Sequence, residues 1–233
     1  MKKVGLIIFA IALVVGLIVT NIFSFGRATN GLFNFSVHFG GVKGSGNVTT
    51  ESREISEFNA VDVGGVFQVD ITAKKDFAVE IEADDNIIGL ITTEVDGNVL
   101  KIGTERKISP TSLIRVHVFA PDIENLEVSG AANVALNGID NPALSVDSSG
   151  ASKIKIAGET AKLTVDVSGA TQIDAEELNA GDADVEASGA SHVNVKVSGS
   201  LRTEASGASK IVYIGEPSSV ERKTSGASSV SRK

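Results

Sequence analysis

VEASGASHVNV, residues 185–195, sets the tripeptide Ser-Gly-Ala between two runs in which apolar and polar residues alternate. The tripeptide occurs six times: Ser129-Gly130, Ser149-Gly150, Ser168-Gly169, Ser188-Gly189, Ser206-Gly207 and Ser225-Gly226, each followed by Ala. The steps between copies are 20, 19, 20, 18 and 19 residues. A catalytic serine is needed once. Repetition at near-constant spacing points to architecture.

Each copy is followed by a short alternating run. Examples are Asn133-Val134-Ala135-Leu136, Lys153-Ile154-Lys155-Ile156 and His192-Val193-Asn194-Val195. The later copies are also preceded by one, as in Leu163-Thr164-Val165-Asp166. A period of two is a strand with one face buried and one wet, and nothing in residues 121–233 shows a period of 3.6. Two short strands and two corners in about 19 residues, repeated, read as an all-β solenoid of stacked rungs. An antiparallel sandwich would not require identical corners in register. Val134, Ile154, Ile173, Val193 and Ile211 are then expected in one interior column. Gly in each corner supplies a positive φ or a close backbone approach. The corner serines are expected to bond the turn backbone or each other, so Ser168→Ala should cost about 1 kcal/mol. A second glycine set, Gly138, Gly158, Gly181, Gly199 and Gly215, marks the opposite corner.

Residues 53–128 also read as strands, with a larger core containing Phe58, Phe67, Phe77 and Phe119. They are expected to continue into the regular stack of residues 129–233 and to cap it, since terminal repeats are usually atypical. All ten Phe lie at or before Phe119, there is no Trp, and Tyr213 is the only Tyr. The chain has no Cys, which excludes disulfides and thiolate metal sites.

The first 26 residues carry Lys2 and Lys3 and no further charge. Their apolar run suits a spanning helix of about 20 residues better than a shorter signal-peptide core, so a membrane anchor is expected, with a cleaved signal as the alternative. Either way the remainder is exported. Residues 27–52, rich in Gly, Ser, Thr and Asn, read as a flexible linker. Without residues 1–26 the charge is 19 − 29 = −10, which makes nucleic acid an unsuitable partner.

Candidate chemistry is sparse. A serine nucleophile needs a base, but His38, His117 and His192 do not recur with the repeat. Asp84-Asp85-Asn86 could supply a metal or catalytic pair, yet a turn explains it more simply. Asp147, Asp166, Glu186 and Glu204 fall at equivalent outward positions of four rungs, ending at Lys223. This column is either a solvated face that discourages lateral aggregation or a surface for divalent cations or a basic partner. The simpler reading is solvation. No catalytic residue, metal ligand or cofactor is expected. A polysaccharide lyase or hydrolase is the enzyme alternative, weakened by the lack of aromatics in the repeat half.

In order along the chain come Arg53-x-Ile55-x-x-Phe58-x-x-Val61, the Asp84-Asp85-Asn86 turn, the Ser-Gly-Ala corners and Tyr213-x-Gly215-x-Pro217. In this order the sequence resembles the "putative autotransporter adhesin, head GIN domain" family over residues 53–231. The resemblance implies a right-handed parallel β-helix-like fold, a place outside the cytoplasm and an adhesive or scaffolding role, with no catalytic residues. The N-terminal apolar segment suggests a single membrane-tethered head. Its expected partners are a surface polymer, a protein, or further copies stacked end to end.

Overall fold

Alternation at period two gives each short run one apolar face, which is buried only when similar runs stack around a shared interior. The computed structural model describes residues 41–233. The segment read as anchor or signal, and the first part of the linker, lie outside the described residues. In chain order the strands are β1 Val42–Lys43, β2 Val48–Arg53, β3 Ala60–Gly65, β4 Gln68–Thr72, β5 Ala78–Asp84, β6 Ile91–Asp96, β7 Val99–Thr104, β8 Ile108–Ser109 and β9 Arg115–Phe119. They continue as β10 Asn125–Gly130, β11 Asn133–Gly150, β12 Lys153–Gly169, β13 Gln172–Ala187, β14 His192–Val197, β15 Ser200–Ala205, β16 Lys210–Ile214, β17 Ser219–Thr224 and β18 Ser229–Arg232.

From β10 onward every pairing is parallel. Register partners sit one repeat apart: Asp147 opposite Asp166, Asp166 opposite Glu186, Glu186 opposite Glu204. This is a β-solenoid. The column Val134, Ile154, Ile173, Val193 and Ile211 lies in register and inside, each residue at most 3% exposed. β11, β12 and β13 run through the second bend as single long strands, where separate short strands were expected. The bend is absorbed by register shifts between Leu136 and Ile139, Lys155 and Ala157, and Ala175 and Asn179.

The Ser-Gly-Ala corners stack glycine on glycine. At Gly130, Gly150, Gly169, Gly189, Gly207 and Gly226 φ lies between 72° and 131°. An added Cβ at each would fall 2.3–2.7 Å from the carbonyl oxygen of the glycine one rung below. Gly thus serves both purposes at once. The ladder starts one rung earlier than the tripeptide reveals, at Gly65, whose carbonyl accepts from the Ala131 amide at 2.9 Å. The second glycine set does not form one ladder. Gly199 stacks on Gly181, but Gly158 sits over Ile139 and Gly215 over Val197. The bulges displace the register there, so each glycine answers a different crowding.

Toward the N-terminal end the rungs leave chain order. β3 and β4 pair with β10 and β11, while β7 and β9, later in sequence, lie outside β3 and β4. β5, β2 and β6 then close this end antiparallel. Arg53 joins the two outermost strands, donating to the Ile91 carbonyl at 2.7 Å and the Thr93 hydroxyl at 2.8 Å. Phe58 and Phe77 meet there with ring centroids 5.0 Å apart. The linker expected up to residue 52 is corrected from residue 42 onward: β1 pairs with β8, and β2 pairs with β5 over six positions. Polar composition gave the impression of a spacer, but edge pairing rests on backbone hydrogen bonds and tolerates polar side chains.

Candidate functional site

On the strand leading into each Ser-Gly-Ala corner, alternate residues point outward. There the register aligns Asp147, Asp166, Glu186 and Glu204 as the spacing implied, with Lys223 opposite Glu204. The column is longer than these four carboxylates. Glu127 precedes Asp147, Asp62 precedes Glu127, and Lys101 stands opposite Asp62. Six carboxylates therefore run between two lysines, one per rung at about 4.8 Å. Such neighbours repel unless water and ions screen them. Lys101 is held above its usual range by its 2.7 Å hydrogen bond to Asp96, by the Asp96 charge and, further off, by Asp62 and Glu127. A shallow hollow of about 190 Å³ opens among Glu127, Asp147, Asp166, Ser149 and Ser168.

A groove of about 550 Å³ lies on the same face toward the C-terminal rungs, lined by Lys162, Asp182, Asp184, Ser200, Arg202 and Glu221. Its charges are mixed. The Ser200 amide and hydroxyl donate to Asp182 Oδ1 at 2.6 and 2.7 Å. These bonds, the amide first, together with the Lys162 charge, hold the Asp182 carboxyl below the usual range against desolvation. Arg202 stands 4.0 Å from Asp184. The site offers fixed donors and acceptors along a surface.

The serines singled out in the sequence are mostly peripheral to the corner's bonding. Among the described residues the Ser129, Ser149, Ser168, Ser206 and Ser225 hydroxyls make no hydrogen bond, and only Ser188 reaches back, to the Val167 carbonyl at 3.3 Å. The hydroxyl that matters belongs to the residue after Ser-Gly-Ala. Ser191, Ser209 and Ser228 each donate at 2.8 Å to the carbonyl three residues earlier. A carbonyl of the rung below is the alternative acceptor, at 3.0 Å from Ser209 and 2.9 Å from Ser228. On the two preceding rungs Ser152 and Thr171 occupy the same place, each within hydrogen-bond distance of the Ser148 hydroxyl. The signal was present: Ser or Thr follows five of the six tripeptides.

Asp84 and Asp85 do not form a pair. Asp84 is fully buried, and its Oδ2 accepts from the Thr111 amide at 2.8 Å and the Ser112 amide at 3.2 Å. Asp85 instead accepts from the Ser45 hydroxyl at the surface. The turn reading stands on these contacts, with a buried carboxylate at its heart that the sequence did not reveal. His192 is partly exposed beside Lys210 and Gln172. Among the described residues no three His, Cys, Asp or Glu side chains are placed to hold a metal ion.

Residues 57–217 match the family described as "Putative auto-transporter adhesin, head GIN domain". A search of curated proteins finds no match. Among solved structures, a putative adhesin from Bacteroides fragilis is similar at 19% identity over 83% of this chain and 100% of that one, with a TM-score of 0.67. A putative adhesin from Parabacteroides merdae is similar at 19% identity over 82% of this chain and 98% of that one, with a TM-score of 0.51. At these identities the likeness is one of fold.

Proposed function

The chain belongs to the auto-transporter adhesin head GIN domain family, and from that premise we propose that it is an exported, membrane-tethered, non-catalytic head that binds a surface polymer or protein through its outer faces. Residues 1–26 serve as the anchor in this reading, with Lys2 and Lys3 on the cytoplasmic side. The observation that carries the proposal is the outer face with its carboxylate column and mixed-charge groove: polar side chains held in register over successive rungs. Solenoids present extended surfaces of this kind, which suit a polymer chain or another protein better than a small molecule.

The test compares cells displaying the parent with cells displaying two variants on surfaces coated with envelope polymer or protein. One variant neutralises the column (Asp166→Asn, Glu186→Gln, Glu204→Gln) and the other the groove (Asp182→Asn, Arg202→Gln). Retention of the parent, lowered in at least one variant at equal display and melting temperature, is the expected result. Retention no better than that of cells lacking the chain contradicts the proposal. Turnover of a polysaccharide that disappears in Asp85→Ala would replace binding by catalysis. Tethering is checked separately: external protease should shave the head from intact cells, and digestion only after lysis would contradict export.

A further inference from the structure

Residues 41–47, Gly-Val-Lys-Gly-Ser-Gly-Asn, have little apolar surface to bury, with Val42 alone packing partly on the core. Polar contacts hold them instead. The Val42 amide donates to the Lys107 carbonyl at 3.0 Å and the Gly44 amide to the Ser109 carbonyl at 2.9 Å. The Gly44 carbonyl accepts from the Thr111 hydroxyl at 2.8 Å. On the other side the Ser45 amide donates to Asn86 Oδ1, and Asn86 Nδ2 to the Lys43 carbonyl, both at 2.8 Å. The Ser45 hydroxyl donates to Asp85, and the Asp85 amide donates back to the Asn47 carbonyl at 2.8 Å. Strap, turn and loop thus close a ring of bonds over the fully buried Asp84, whose own carboxylate holds the Thr111 and Ser112 amides of the loop that clasps the strap.

Gly44 fits this arrangement narrowly: a Cβ there would fall 1.8 Å from Asp84 Oδ2 and 2.7 Å from the Thr111 amide nitrogen. β1 is only two residues long and, among the described residues, pairs only with β8, which has no other strand partner there. A segment with few apolar contacts and many surface hydrogen bonds is the kind that opens locally while the core stays closed. The rungs behind it are the opposite, with interior columns exposed by a few per cent or less.

We infer that residues 41–47 form a latch, a strap that opens and recloses as a unit while the rungs remain folded, with Asp84 as its catch. Opening frees seven residues, whose fully extended length is at most about 24 Å at roughly 3.3–3.6 Å each. The use of that length rests on the tethered reading, in which residues 41–47 follow the anchor segment in the chain and precede the rungs. The opening itself does not depend on that reading.

Hydrogen exchange on the full chain in detergent tests the latch, comparing the parent with Asp84→Asn and with the milder Ser45→Ala. In Asp84→Asn, peptides covering 41–47 and 107–112 should exchange at least tenfold faster while those covering 133–187 keep the parent rate. Ser45→Ala should move the same peptides in the same direction by less. Unchanged exchange over 41–47 in Asp84→Asn would overturn the inference. So would an equal rise over 133–187, since Asp84 would then support the whole stack. The measurement reads the chain alone, so its failure leaves the adhesion proposal standing.

Discussion

At Gly169 the backbone has a φ of 96°, and a Cβ would meet the Gly150 oxygen at 2.4 Å and the Gly150 nitrogen at 3.0 Å. Both penalties fall on backbone atoms that cannot swing aside. Gly169→Ala should therefore cost about 2–3 kcal/mol or more, combining left-handed strain with the clash. Gly89→Ala is the control, since nothing lies within 4 Å of its added Cβ and its φ is ordinary. It should stay within about 0.5 kcal/mol of the parent or gain slightly. Urea unfolding of both variants checks the contrast. The same method separates the serines: Ser209→Ala should lose about 1 kcal/mol, and Ser168→Ala, revised from the sequence-based expectation, should change by less than about 0.5 kcal/mol. Asp84 adds a pH dependence. The Ser112 hydroxyl and the amides of Thr111, Ser112 and Gly46 hold its carboxyl below the ordinary value, against desolvation. A depressed folded value means that its contribution is full above the ordinary aspartate range and is lost as pH falls through the folded value. Lys43 of the strap, Asp85 of the turn and Lys107 of the loop are the other ionisable groups of these three segments. Amide resonances of Gly46 and Thr111 should hold steady from neutral pH down to about 4 and shift only below it.

At the scale of the strand, the outward column decides between a tolerated and a used surface. Asp166 and Glu186 are exposed and directly opposed. If water and ions merely screen them, Asp166→Asn with Glu186→Gln should hold or raise stability by tenths of a kcal/mol, roughly, and the gain should fade with salt. Calcium should then leave the melting temperature of the parent unchanged; a calcium-dependent rise absent from the double variant would show a bound cation instead. The strands that could be read in advance are those set by local period: the runs flanking each Ser-Gly-Ala, their inward residues and four members of the column. Asp62 escaped because its rung carries Gly64-Gly65 where the others carry Ser-Gly, whereas Glu127, two residues before Ser129, holds the same place before its tripeptide as the other four and was legible with them. β1 and β2 escaped for a different reason. Their order comes from pairing with β8 and β5, residues far away in sequence, and from side-chain clasps at Asp85, Asn86 and Thr111 that no periodicity encodes. The candidate surface was thus legible as a column but not as a groove, because the groove depends on Asp182 meeting Ser200 and Asp184 meeting Arg202 across rungs.

For the whole molecule, stability depends on an unbroken interior. Ile173 is fully buried between Ile154 and Val193, and an unpaired carboxylate there costs several kcal/mol, roughly, even after relaxation. Ile173→Asp should abolish cooperative unfolding by circular dichroism, whereas Ile173→Val should cost only about 1 kcal/mol. A stack whose rungs touch only their neighbours also makes a geometric claim that spectroscopy can read. The chain has no cysteine, so pairs introduced on the outward column carry spin labels without background. With one label at Lys223 and the second at Glu186, Asp166, Asp147 or Glu127 in turn, the pairs stand two, three, four and five rungs apart. Backbone separations should then rise in equal steps of about 4.8 Å, from about 10 Å to about 24 Å. Label distances measured by electron–electron resonance that climb evenly along this series are the result a parallel solenoid predicts. Distances that fail to rise with rung number, or that alternate between near and far, would contradict it.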